Sequence, residues 1–175
     1  DYVIGSRIDI TEQKKILLKK GFGAPRLNKQ KFETIVNIYN KFKSKAKIVT
    51  VTHHQEILKH IHCDNLNLQN IDHHHDIFYP GWHELENLDE GNWVYHLSQA
   101  KNIKEYTWFR NADSENFTAD LDLNFKFKQI YDLSVHHVVK PDLIVLCNSP
   151  HWTLDEDNVL INKILIGDIN ANKKL

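Results

Sequence analysis

Apolar and polar positions alternate along this chain with two periods. Residues 29–43 set Phe32, Ile35, Val36, Ile38, Tyr39 and Phe42 three and four apart, the spacing of one helical face. KIVTVT (47–52) is a β-branched run and predicts a strand. HHQEILKHI (53–61) reads as helical, and LNLQNID (66–72) as the next strand. A loop follows at FYPGWHELENLDEG (78–91), punctuated by proline and glycine. NWVYHLSQA (92–100) predicts a helix, while YTWF (106–109) and FTADLD (117–122) predict strands. PDLIVLCNS (141–149) is nearly continuous in apolar residues, as a strand buried on both faces should be. Nearer the ends, residues 2–10 read as a first strand, GFGAPR (21–26) as a loop, and DEDNVLINKILI (155–166) as a closing helix. The acidic start of that last segment suits a helix dipole. Residues 125–139 fit neither period.

Strands that alternate with helices imply an α/β fold, a three-layer sandwich around a mainly parallel sheet, here in a single domain over 1–175. In such sheets ligands bind beyond the carboxyl ends of the strands. A motif therefore gains weight when it falls at such an end.

Composition narrows the function. A formal net charge of -1 argues against a nucleic-acid partner. The basic groups Lys19, Lys20 and Arg26, and Lys41, Lys43, Lys45 and Lys47, read as solvated faces. Two cysteines without a CxxC pattern suggest a reduced, cytoplasmic chain. No apolar run approaches the roughly 20 residues of a membrane span, so no membrane partner is expected. The chain begins with Asp1 and contains no methionine, so an initiator, with or without a short leader, is expected upstream. Oligomeric state is not legible. The unusual total is twelve histidines.

Three histidine or acidic motifs close predicted strands. His53-His54 follows KIVTVT, Asp72-His73-His74-His75-Asp76 follows LNLQNI, and Asp120-Leu121-Asp122 ends FTADLD. In an extended chain alternate residues share a side, which would group Asp72, His74 and Asp76, and likewise Asp120 with Asp122. With one histidine of the first motif, the set offers four carboxylates and two imidazoles. Carboxylates and imidazoles without thiolate favour Mn2+, Fe2+ or Zn2+. So many like charges would repel one another strongly unless cations neutralised them.

This constellation resembles the arginase and agmatinase family, the ureohydrolases, whose pattern is a histidine after one strand, Asp-x-His-x-Asp after the next and Asp-x-Asp after a later one. Asp72-x-His74-x-Asp76 and Asp120-x-Asp122 match it in order. The string His54-Gln55-Glu56, together with GNW (91–93) and LCNSPHW (146–152), is similar to the small, divergent branch that includes the peptide arginases. The resemblance implies an arginase-deacetylase-like fold and two Mn2+ ions per chain, with Zn2+ or Fe2+ as substitutes. It implies His54 and Asp76 on one ion, His74 and Asp122 on the other, and Asp72 and Asp120 bridging both. It further implies that a metal-bridging hydroxide attacks a guanidinium carbon, in a small molecule or a peptide arginine, and releases urea.

Departures from the family keep other readings open. The family's proton-shuttle histidine would follow the GNW string; the nearest here is His96, with His83 and His151 as further candidates for acid–base work. A one-zinc deacetylase or amidohydrolase would need only one Asp-x-His and one further Asp. A non-catalytic metal-binding protein needs no shuttle. His60, His62, His136 and His137 read as surface or structural residues, and Cys147 as inert in its strand. The tryptophans read as core or rim packing, with Trp82 and Trp152 near enough to the motifs to wall a pocket.

Overall fold

Helical spacing at 29–43 becomes α1, Lys29–Phe42. Its inner face buries Ile38, Tyr39 and Phe42. Lys41 in the last turn complements the carbonyl end of the helix dipole. The β-branched run becomes β1, Lys47–Val51, and pairs in parallel with β5, Leu143–Cys147. The ladder continues past both strands, because Asn148 N–H donates to the Val51 carbonyl and Ser149 N–H to that of Thr52. This computed structural model describes residues 29–81, 84–112, 114–118 and 120–149, with Lys15 and Lys19. The strand read at 2–10, the loop at 21–26 and the helix at 155–166 lie outside the described residues.

A second sheet has the order β2-β3-β4, all parallel: β2 is Leu66–Ile71, β3 is Ile103–Phe109 and β4 is Lys126–Ile130. Helix α2, Trp93–Ala100, lies between β2 and β3 in the chain, as a parallel crossover requires. The central strand β3 carries Tyr106 and Trp108, both at 0% exposure. Aromatic side chains of this size bury roughly 150–250 Å² each, which at about 25 cal/mol per Å² is on the order of 4–6 kcal/mol before entropic costs. Phe127 on β4 stacks on Tyr106, and Phe117 meets Phe127 edge-on.

The described residues fall into two compact units, one within Asp1–Thr52 and Lys140–Leu175 and the other His53–Val139. All pairing in both sheets is parallel, so the α/β class with parallel sheets holds.

Two elements differ from their sequence expectation. The described residues of 117–122 form no strand; the third strand of the β2-β3-β4 sheet comes from the stretch that showed no clear period. Aspartates at 120 and 122 suit a strand poorly. KFKQI instead offers Lys126 and Lys128 to Glu105 across the β3–β4 pair, at 3.7 Å and 2.6 Å. The helix expected at 53–61 is a 3-10 turn over His54–His60, with Ile57 as its buried residue. So short a segment with one buried apolar side chain gains little from the wider α-helical turn. Among the described residues no helix is long and apolar enough to cross a membrane.

Candidate metal centre

The end of β2 starts the site. Asp72 N–H donates to the Phe109 carbonyl at 3.3 Å, which prolongs the β2–β3 ladder by one residue and sets Asp72 at the carboxyl edge of the sheet. The chain then bends. Trp108 Nε1–H holds the Asp72 carbonyl at 3.0 Å. His75 turns inward, 1% exposed, stacked on Tyr79 at 4.0 Å between ring centroids and met edge-on by Trp108 and Phe117. Its Nδ1 accepts from Ile77 N–H, and its carbonyl accepts from the Tyr106 hydroxyl at 2.8 Å. Burial pushes the Tyr106 phenol well above its usual range, so it stays a donor.

Asp76 follows in the left-handed region, φ 51°, and is buried. Aspartate is among the few residues that visit this region readily. Its carbonyl accepts from Val94 N–H at 2.9 Å, satisfying an amide in the first turn of α2. Its Oδ2 accepts from Trp93 Nε1–H at 2.7 Å and from Asn70 Nδ2–H at 3.4 Å.

His54 arrives from the other direction, as the first residue of the 3-10 turn. Its Nδ1 lies 2.9 Å from Asp76 Oδ2 and 3.5 Å from Asp72 Oδ2. One ligand atom from each of His54, Asp72 and Asp76 falls within 4.8 Å of the other two. The neighbouring His53 turns elsewhere and pairs with Glu90 at 2.6 Å. Glu56 Oε2 accepts from His53 N–H at 3.2 Å and steadies the start of the turn.

The donor set suits a divalent cation on one observation besides its chemistry. The Asp72 side chain keeps 20% exposure, yet its Oδ2 is buried and accepts no hydrogen bond. A buried carboxylate oxygen without a donor is costly, and a cation would relieve it. Burial, and after it the charge of Asp76, push the Asp72 carboxyl up to about 6, against the opposite pull of His54 and His74. One imidazole and two carboxylates without thiolate suit Mn2+, Fe2+ or Zn2+.

Three of the six expected ligands thus come together, the set assigned to one ion less the bridging Asp120. Asp72 and Asp76 meet because the chain bends between them and Asp76 is left-handed, not through the strand alternation that would group them. His74 is close enough to act on the charge of Asp72, but its ring contacts are with His73 and Tyr79, and it stands outside the cluster. Asp120 and Asp122 are exposed, on a segment without strand structure, and stand outside it too. His96 lies on α2, one turn beyond Trp93, with its Nε2 buried and lacking a hydrogen-bond partner. His83 and His151, with Trp82 and Trp152, lie outside the described residues. Cys147 is partly exposed, its Sγ 3.2 Å from Ser149 Oγ.

Sequence reasoning misses the residues that hold the candidate ligands. Trp93 reads as packing, and Asn70 and Tyr106 as parts of strands. The GNW string is the available signal. Asn92 is fully buried and ties the preceding loop together: its Oδ1 accepts from Asp89 N–H, and its Nδ2 donates to the carbonyls of Glu84 and Asn87. That anchorage delivers Trp93 to Asp76. No protein-family model, no curated protein and no solved structure matches the chain.

Proposed function

We propose that this chain is a divalent-metal-dependent hydrolase of a C–N bond, with an ion held by His54, Asp72 and Asp76. The observation that carries the reading is the convergence of these three ligand atoms around a buried, undonated Asp72 oxygen. The order of the motifs supports a fold of arginase-deacetylase type and a guanidinium substrate, free or in a peptide, with ornithine-like amine and urea as products. Two cysteines that are both free accord with a cytoplasmic setting. A bound divalent cation would supply Lewis acidity and lower the pKa of a coordinated water. The chain's own residues hold the ligands rigid: Trp93 and Asn70 fix the Asp76 carboxylate, and Trp108 fixes the Asp72 backbone.

The exposed positions of Asp120 and Asp122 favour a second reading, a one-metal amidohydrolase or deacetylase, over a two-ion centre. Elemental analysis of the protein purified without chelator, repeated after Mn2+ dialysis, separates the two. Bound metal that is lost in Asp76→Ala, with urea released from arginine, agmatine or an arginine-containing peptide, is the expected result. One tightly bound zinc without urea release would select the amidohydrolase reading. Absence of metal under both conditions would remove the enzyme reading.

A further inference from the structure

We infer that Trp93 is a positioning residue for the metal centre, acting through Asp76; the inference rests on the metal reading above. The indole N–H lies 2.7 Å from Asp76 Oδ2, a short charge-assisted contact, and the ring is 2% exposed. The next residue grips the same aspartate by its backbone, Val94 N–H to the Asp76 carbonyl. Trp93 and Val94 therefore fix both the carboxylate and the main chain of a residue in the left-handed conformation, φ 51°. A free aspartate side chain could swing its carboxylate away from His54 and Asp72. With the indole in place, the rotamer that brings Oδ2 near both is held before any ion arrives.

The arrangement reaches further on each side. Asn70 Nδ2–H donates to the same Oδ2 and to the Tyr106 hydroxyl, so the carboxylate is tied to the buried centre of the sheet. On the other side Asn92 anchors the 84–91 loop, and Glu90 of that loop pairs with His53, beside ligand His54. Partners that orient a metal ligand typically change affinity about 10- to 100-fold when lost. Phenylalanine at 93 keeps most of the ring volume and loses the donor.

Two measurements on the full chain test this. In the first, Mn2+ and Zn2+ affinities are compared between wild type and Trp93→Phe by calorimetry, with circular dichroism as the check on folding. The expected result is a loss of about 10- to 100-fold in a folded variant. In the second, the indole ¹⁵N–¹H resonances of the wild type are followed as Zn2+ is added. The Trp93 signal, identified by its absence in the variant or by selective labelling, should lie downfield of the other indoles and move on Zn2+ binding. A purely packing role would leave that resonance unmoved. If the wild type binds metal but the Trp93 resonance stays fixed, or the folded variant binds within twofold of wild type, the inference is overturned while the metal reading stands. If the wild type binds neither ion, both fall.

Discussion

Asp72 couples the metal-free fold to pH with a sign opposite to that of most carboxylates. Its carboxyl is raised from 3.8 to about 6, chiefly by burial and then by the charge of Asp76. Between these values the folded state binds more protons than the unfolded chain, so stability falls as pH rises. The contribution is fully present below about 4 and lost as pH passes about 6. A carboxyl raised by about two pH units contributes about 3 kcal/mol, at about 1.4 kcal/mol for each. Asp72→Asn cannot ionise and lacks this slope. The assay is urea denaturation of chelated wild type and Asp72→Asn at intervals from pH 4 to pH 7. Relative to the variant, wild type should lose up to about 3 kcal/mol across that range. Taking the difference removes the carboxylates that titrate in the usual sense. Saturating Mn2+ at pH 7 should reverse the loss for wild type alone, by about 2.7 kcal/mol at a hundredfold excess over Kd. A difference between the two proteins that does not change from pH 4 to pH 7 would refute the reasoning.

Other consequences can be checked directly. His54→Ala should abolish tight metal binding, whereas His53→Ala should leave stoichiometry unchanged by elemental analysis, because His53 is engaged by Glu90. Asp120→Asn and Asp122→Asn should retain the His54–Asp72–Asp76 ion; a fall from two metals per chain to one would show instead that these exposed residues complete a second site. Tyr106→Phe removes a donor to the His75 carbonyl and an acceptor for Asn70. It should cost about 1–3 kcal/mol in urea denaturation, the penalty for buried polar groups left unsatisfied.

The class of fold and the first half of the site are legible from local pattern. Helical spacing in α1, the apolar–polar alternation that opens β2 and the apolar runs of β1 and β5 are local, and such patterns are read from neighbouring residues alone. The same is true of the His53-His54 pair, Asp72 and Asp76, whose residue types and strand-end positions mark them as candidate ligands without any geometry. Packing between distant segments settles what remains. That residues 126–130 rather than 117–122 join the sheet goes with cross-strand partners remote in sequence, Tyr106 under Phe127 and Glu105 beside Lys126 and Lys128. Which histidine of the pair enters the cluster depends on Glu90 drawing His53 away. Asp76 reaches Asp72 through one left-handed residue, which a rule for extended chains cannot foresee. Trp93 becomes the partner of the Asp76 carboxylate because a loop tied by Asn92 delivers it there, 17 positions away in the chain. Each of these outcomes rests on a hydrogen bond, an ion pair or a backbone turn that joins separate segments, and such partners are chosen in three dimensions, where no local pattern reaches.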